Sequence, residues 1–593
     1  MPVARKRLLR VSLVAGAVAL GVYLLLRLPP FAGRIEAFNA DISLPDALIR
    51  SYSLSRLPAD LLRVPLARDV LTEDFVAYYE ENEGRLALSG TVRRIAYEHK
   101  LDLPGRLIES TLDEPAEVAL WRGTDGRLRD FVIVMSRNTL ARAIQMLLPV
   151  IGKATDAQIS KAGRLDGSDA EILVVEYGYR HRLLLLAKGE RIVVLSNPGM
   201  LFASDGEHAD KPPVQSTEAA RFIRKLLNSS EAMSPFARKF RLGKTPLEKK
   251  HELILGARVF TFGYDNFTPG LAALSLTFDD RGAWQSAALT SGGPVSGGGG
   301  KELWADLPHG PSLCASLPVN WARVSPVLKK FNASLEHPAA PTLFTDHFAG
   351  PAAVCWYKDS RLYTPLFAAR LKSGMNEKQA REFFSIADSA IAGQGEVSFD
   401  AENGVVQWQG TVVSRFGVAD ENGGPRSLKP ALALHGDVVF FSPDAALVGN
   451  ALDVAAKRYP ALDNSFARTG GNTLAFVAPQ ALAALLRDEA LAALPRNEEA
   501  VFRNAADAYL LPRLDALARY PSQRIKLAKG RSRNTTHEWR ALEWEPGNSL
   551  PEPGNSLLEP GSSLLKPGSS LLEPGDPLLE PGNSLLEPGD PLP

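Results

Sequence analysis

Cysteine is almost absent from this chain: Cys314 and Cys355 are the only thiols in 593 residues. That excludes a disulfide scaffold and a zinc ribbon, which need several sulfurs at short spacing, and leaves at most one bridge. A charge of one sign is absent too. Sixty-seven Lys plus Arg balance sixty-seven Asp plus Glu, so there is no cationic surplus to release counterions from a phosphate backbone, and nucleic acid is a poor partner. No Gly-x-Ser-x-Gly elbow and no His-Glu-x-x-His helix occurs, which removes the two most direct signatures of a serine hydrolase and a zinc protease.

The nine histidines are scattered, and none has a second His at helical ligand spacing. A metal site would have to be assembled from tertiary contacts, and no metal or cofactor is expected. Glu98 beside His99 and Asp346 beside His347 are sequence neighbours; on a strand such neighbours face opposite ways, so they read as surface and not as acid–base couples. Gly297 to Gly300 precede Lys301, but a phosphate loop needs glycine where Val295 stands and a hydroxyl where Glu302 stands. That stretch reads as a linker. A Ser, His and Asp triad is spatial and has no sequence signature to read.

What the chain does contain is clearest at its ends. Arg5, Lys6, Arg7 and Arg10 precede an uncharged run from Val11 to Leu26, and Arg27 closes it before Pro29 and Pro30. With Leu8, Leu9 and Leu28 added and the flanking arginines snorkelling, the run is just long enough to span a bilayer. The cations come first, so the N-terminus is expected in the cytoplasm and the bulk in the periplasm. A cleaved signal peptide is the competing reading, but Arg27-Leu28-Pro29-Pro30 stands where a small-x-small site would be needed. At the other end a seven-residue unit starts at Glu545 and recurs at Glu552, Glu559, Lys566, Glu573, Glu580 and Glu587. Seven is the coiled-coil period, yet a Pro-Gly pair in each unit breaks any helix, so residues 545–593 are expected to be a disordered tail.

Between the ends one pattern occurs twice. Val118 to Trp121 leads into an apolar run, Phe131 to Val134, followed by Leu140, Ile144, Leu147 and Leu148 on one helical face and by strand-like runs at Ile172–Val175, Leu183–Leu186 and Ile192–Leu195. Val354-Cys355-Trp356 leads into Leu366 to Ala369, then a helix opening with Asn376 and Gln379 at capping-box spacing, then a hairpin around His435-Gly436-Asp437. The matching tryptophans, Trp121 and Trp356, read as core anchors.

The expectation is an α+β fold: two similar β-α-β-β-β domains with antiparallel sheets, related by an internal duplication over about residues 99–230 and 339–460, after one N-terminal transmembrane helix. The divisions are 1–30 (basic stub and signal anchor), 31–98 (N-terminal segment), 99–230 (first repeat), 231–300 (β-rich connector ending in the Gly-rich linker), 301–465 (second repeat), 466–544 (helical region and closing strand) and 545–593 (tail). Cys314 and Cys355 both sit in strand-like contexts. A bridge between them would close a loop of about forty residues and contribute about 4 kcal/mol; the other reading is two buried, unpaired, small apolar side chains.

At Leu57 to Leu62, Leu71 to Phe75 and Arg94 to His99 the chain resembles the YfaA-like bacterial proteins, a family of unknown function often encoded beside a bacterial alpha-2-macroglobulin. The resemblance covers nearly the whole chain apart from the tail. It implies an envelope location and a part in a protease-trapping system, and it carries over no functional residues. The duplication without a catalytic signature, together with the anchor, leads us to expect a non-enzymatic protein-interaction module at the inner membrane, and the resemblance implies an envelope protein such as a bacterial alpha-2-macroglobulin as partner. The alternatives are a periplasmic hydrolase whose site forms only in the fold and a lipid- or glycan-binding protein.

Overall fold

A computed structural model describes residues 37–54, 56–70, 115–123, 128–136, 158–177, 181–203, 214–229, 234–243, 247–261, 270–291, 303–323, 347–391, 396–400, 405–413, 427–466, 473–492, 503–504, 506–528 and 537–547. The chain divides into two units, Met1–Ser549 and Leu550–Pro593, and all of these residues belong to the first. The expected transmembrane run Val11–Leu26, the helix around Leu140–Leu148, the Gly-rich linker and nearly all of the repeat tail lie outside the described residues. Among the described residues no helix is long and apolar enough to cross a membrane.

Ten strands come from the N-terminal half: β1 (Ala47–Ser51), β2 (Ala116–Arg122), β3 (Leu128–Ser136), β4 (Gln158–Arg164), β5 (Glu171–Tyr177), β6 (His181–Lys188), β7 (Arg191–Leu195), β8 (Lys250–Gly256), β9 (Leu271–Asp279) and β10 (Trp284–Ser291). From the C-terminal half come β11 (Pro311–Pro318), β12 (Phe348–Tyr357), β13 (Leu366–Leu371), β14 (Glu396–Asp400), β15 (Val405–Gln409), the short pair β16 (Val412–Val413) and β17 (Ser427–Leu428), β18 (Ala431–His435), β19 (Val438–Ser442), β20 (Thr473–Val477), β21 (Gln523–Leu527) and β22 (His537–Pro546). Twenty of them form one sheet, and all its pairings are antiparallel. The N-terminal half runs β4-β5-β6-β7-β3-β2-β1-β8-β9-β10. The C-terminal half runs β14-β15-β18-β19-β13-β12-β11-β20-β21-β22. The two orders correspond strand for strand, and the halves meet where β10 pairs with β22, Ala287–Ser291 against Ala541–His537.

The helices cover the sheet where its strands are apolar on both faces, as Arg191–Leu195 and Ala431–His435 are. The first two, α1 (Leu57–Leu61) and α2 (Pro65–Val70), follow β1. Next, α3 (Thr217–Leu227) and α4 (Pro235–Lys239) bury Ile223, Leu226 and Phe236 against Trp121, Val132, Leu184 and Leu195. In the C-terminal half α5 (Glu377–Ile391) begins with the expected capping box: Gln379 N–H donates to Asn376 Oδ1 at 2.9 Å and Asn376 N–H to Gln379 Oε1 at 3.0 Å. It lays Ala380, Phe383 and Phe384 over Trp408, Leu432 and Val439. On the opposite face α6 (Ala445–Ala455) packs Leu447, Val448 and Ala451 on Cys355, Ala368 and Phe440. Two more helices, α7 (Pro479–Ala492) and α8 (Leu511–Ala518), follow β20. The fold is thus mostly antiparallel sheet with some helices, an α+β arrangement.

The register corrects one sequence equivalence. The hairpin tips correspond, since Gly189 and Gly436 both hold left-handed backbone, with φ of 56° and 59°. Counting from the tips makes Val194 equivalent to Phe441; these face Ile133 and Phe367, which in turn face Val118 and Val354. Three residues on, the counterpart of Trp121 is Tyr357, not Trp356. A one-residue slip moves a side chain to the other face of a sheet. Trp121 is accordingly 1% exposed and Tyr357 8%, whereas Trp356 is half-buried on the far side and donates from Nε1 to the carbonyl of Leu362. The two true counterparts share a bond: Trp121 Nε1 donates to Asp41 O and Tyr357 Oη to Pro308 O, both at 3.0 Å. Each pins the segment that leads into the first strand of its half.

The first residues of the expected tail are also held by the sheet. Glu545 and Pro546 belong to β22, and Gly547 N–H donates to Ser522 O at 2.8 Å.

Tyr357→Phe removes one buried donor and leaves the Pro308 carbonyl without it. The expected loss is about 1–3 kcal/mol of unfolding free energy, read from urea midpoints at constant m value.

Candidate functional site

Three polar constellations form inside the fold, all from residues far apart in sequence. In the first, Arg50 on β1 stands between its register partners on either side, Glu117 on β2 and Glu252 on β8. Arg50 Nε lies 3.3 Å from Glu117 Oε1 and Nη1 lies 3.0 Å from Glu252 Oε2. Burial pushes both carboxyls above the usual range. Ser234 and Arg50 draw Glu117 back down, and Arg50 does so for Glu252. The triad is a charged clasp across three strands, with Arg50 buried and both glutamates partly exposed.

The second constellation is a serine, histidine and aspartate chain. Ser51 Oγ lies 2.8 Å from His251 Nδ1, and His251 Nε2 lies 3.0 Å from Asp60 Oδ2. Tyr52 Oη donates to the same Asp60 oxygen at 2.8 Å, and Arg63 Nη1 donates to Asp60 Oδ1 at 2.8 Å. The proton positions follow from donor counting. Asp60 as carboxylate only accepts, so Nε2 carries the hydrogen, and Nδ1 therefore accepts the Ser51 hydroxyl. Chemically this is a relay, but Ser51, His251 and Asp60 are 1%, 0% and 2% exposed. A nucleophile needs a space about 3 Å away for the reacting carbon and donors for an oxyanion; Ser51 is buried inside the sheet. The imidazole is held neutral mainly by burial, against the pull of Asp60 and Asp280.

The third is an open cleft of about 520 Å³ beside the C-terminal end of α6, lined by Asp306, His435, Lys457, Arg458, Tyr459 and Asp463 among others. Asp306 in its lining is held from within by Arg370 on β13, 7% exposed, which donates to both oxygens of Asp437 at 2.9 Å and to Asp306 Oδ2 at 2.7 Å. Burial raises the Asp306 carboxyl, Arg370 lowers it, and Asp437 and His435 act in opposite directions behind these. The cleft has an acid and an imidazole, but no Ser, Thr or Cys in its lining. Among the described residues the relay is thus buried, while the cleft has no Ser, Thr or Cys in its lining.

The residues singled out from sequence fall as follows. Cys314 and Cys355 are direct register partners on β11 and β12, with Cα atoms 4.0 Å apart and their sulfurs brought together at the centre of the core beneath α6. His435 lines the cleft. His347 is half-buried at the start of β12, its carbonyl accepting from Lys372 N–H. Glu98, His99, Asp346, His208, His337 and Gly297–Lys301 lie outside the described residues. Among the described residues no group of three His, Cys, Asp or Glu is placed to hold a metal. Sequence reading missed Ser51, Asp60, His251, Asp306, Arg370 and Asp437. The one local signal was the polar triplet Lys250-His251-Glu252 opening an apolar strand.

The fold defines a class: a β-rich α+β protein built on one large antiparallel sheet. Within it, the chain belongs to the family described as "Uncharacterized protein conserved in bacteria" (DUF2138), whose profile matches residues 17–544. It is 30% identical over 536 residues to "Uncharacterized protein YfaA" of Escherichia coli (strain K12), covering 85% of this chain and 90% of that one. The match stops at Trp544, before the repeat tail. Two crystal forms of TP0453, IV and III, align at 10% and 11% identity with TM-scores of 0.21 and 0.19. They cover 45% and 42% of this chain and 83% and 76% of those chains. A likeness that slight carries no argument.

Ser51→Ala leaves His251 Nδ1 without its donor in a dry site and is expected to cost about 1–3 kcal/mol of stability, read by chemical denaturation. Replacing both Cys314 and Cys355 by alanine should cost about 2–4 kcal/mol in oxidised protein, a difference that disappears when both proteins are unfolded under reductant.

Proposed function

We propose that this protein is a non-enzymatic interaction module, held at the inner membrane by Val11–Leu26 with its body in the periplasm, and that it arose by duplication of a ten-strand unit. The observation that supports the non-enzymatic reading is that, among the described residues, the relay of Ser51, His251 and Asp60 is buried and the cleft lined by Asp306 and His435 has no Ser, Thr or Cys in its lining. The duplication is supported by the matching strand orders and by the equivalent bonds of Trp121 and Tyr357. The Cys314–Cys355 bridge suits an oxidising compartment, and the basic residues ahead of the apolar run suit an uncleaved anchor. The partner we propose is an envelope protein, with a bacterial alpha-2-macroglobulin as the leading candidate from the resemblance at Leu57–Leu62, Leu71–Phe75 and Arg94–His99. A module of this kind works by presenting a stable surface, and a continuous sheet covered by helices provides one.

The test is cross-linking of the full chain in its native host, solubilisation in detergent and identification of what co-purifies. Repeated recovery of one envelope protein is the expected result. Recovery of the intact chain from the cytosol, with both thiols reduced, overturns the reading.

A further inference from the structure

The cleft beside the end of α6 is lined by three stretches: residues 454–464 at and after the helix end, residues 305–306, and His435 at the end of β18. They are tied to one another. His309 N–H donates to Pro460 O at 2.9 Å and Leu462 N–H to Leu307 O at 2.8 Å, while Arg370 joins Asp306 to Asp437, two residues beyond His435. The chain after α6 is also fastened back to the helix. Asp453 O accepts from Arg458 N–H at 2.7 Å and from Tyr459 N–H at 3.1 Å, and the Asp453 carboxylate accepts from Arg458 Nε at 2.9 Å and Nη2 at 2.6 Å. Lys457, at the turn between, has a φ of 59°, a left-handed conformation that glycine ordinarily supplies after a helix. A charged side chain is kept in the lining although the backbone there disfavours one.

We propose that this cleft binds a neutral disaccharide, with Lys457, Asp463 and Asn464 hydrogen-bonding its hydroxyls and the Tyr459 ring supporting one sugar face. The inference goes beyond the interaction-module reading and stands whether or not that reading holds. Two of the charges in the lining are already matched within the protein, Asp306 by Arg370 and Arg458 by Asp453. The other polar groups are not. Among the described residues the side chains of His435, Lys457, Tyr459, Asp463 and Asn464 make no hydrogen bond or ion pair with one another or with any neighbour. Together they supply a cationic donor, an anionic acceptor, an amide that does both, a phenol and an imidazole. Because the signs are mixed, a phosphate meets Asp306 and Asp463 as well as Lys457, and a simple cation meets Lys457 and Arg458. A ligand without net charge that presents donors and acceptors at short intervals meets no such conflict. Sugar hydroxyls do this, each donating and accepting, and their bonds to charged side chains are stronger than bonds between neutral groups. Tyr459 is half-buried, which leaves part of an amphipathic ring for the C–H face of a pyranose. The volume, about 520 Å³, falls within the range of small-molecule clefts.

Calorimetric titration of the detergent-solubilised full chain with maltose, cellobiose and N,N′-diacetylchitobiose tests this. At least one of these sugars is expected to bind saturably at millimolar concentration or below. Asp463→Ala and Tyr459→Ala should each weaken that sugar about tenfold, the loss of one contact to a charged or aromatic side chain. Lys457→Gly gives the comparison that folding cannot confound: glycine suits the left-handed turn, so the thermal midpoint should hold while the affinity falls by a similar factor. Binding of none of the sugars sinks the proposal, as does a sugar whose affinity is the same in wild type and in all of these variants. Displacement of the bound sugar by glycylglycine or inorganic phosphate at comparable concentration would also refute it, since the cleft would then be selecting charge.

Discussion

Five residue pairs, Ala287–Ser291 against Ala541–His537, turn two half-sheets into one. The other nine strands of the large sheet in each half lie on their own side of that seam, in the same order. Corresponding strands, β10 and β22, pair antiparallel, as they would if two like units met about a two-fold axis. The seam is supported by side chains at its margins: Trp539 Nε1 donates to Phe240 O at 2.9 Å, Trp544 Nε1 to Ser286 Oγ at 2.8 Å, and the Trp284 and Trp544 rings meet edge to face with centroids 5.6 Å apart. These aromatics combine apolar area with one donor each, which suits a join that is partly wet.

The halves share a scaffold but not their buried chemistry. The register makes Ser51 equivalent to Leu317 and His251 to Thr473. In the C-terminal half that place is taken by Arg524, whose Nε donates to Thr473 Oγ1 at 2.7 Å and whose guanidinium lies 4.4 Å from the Phe466 ring centre. Conversely, the Arg370 clamp on Asp306 and Asp437 has Ser136 and Glu190 at the matching positions of the first half. The two halves thus bury polarity in one framework in two different ways.

Sequence patterning revealed what is local. The strands at Phe131–Val134, Ile172–Val175, Leu183–Leu186 and Ile192–Leu195 all lie inside observed strands, and the capping box at Asn376 and Gln379 forms with both of its bonds. It did not reveal β1, β4, β14 or β21, because short strands such as Gln158–Arg164 and Gln523–Leu527 alternate too weakly to stand out from loops. Pairing Trp121 with Trp356 was a reasonable match of residue types, yet the sheet equates positions by which face they occupy, and Tyr357 meets that requirement. The polar constellations were illegible because Ser51 and His251 are 200 residues apart and Arg370 and Asp437 are 67 apart. Only strand order brings them together, and strand order is not written in any local window.

The order of the strands also bears on how the chain reaches its native state. The closing strand of the seam, β22, is the last element of the body to leave the ribosome, after every strand it must join. Until then the long flank of β10 has no neighbour on that side, and an open apolar edge of this kind is prone to pair with the wrong chain. Synthesis of the body is thus a long wait with an exposed template. A helper that shields this edge, or passage of the chain in extended form before any pairing begins, would spare it from that hazard.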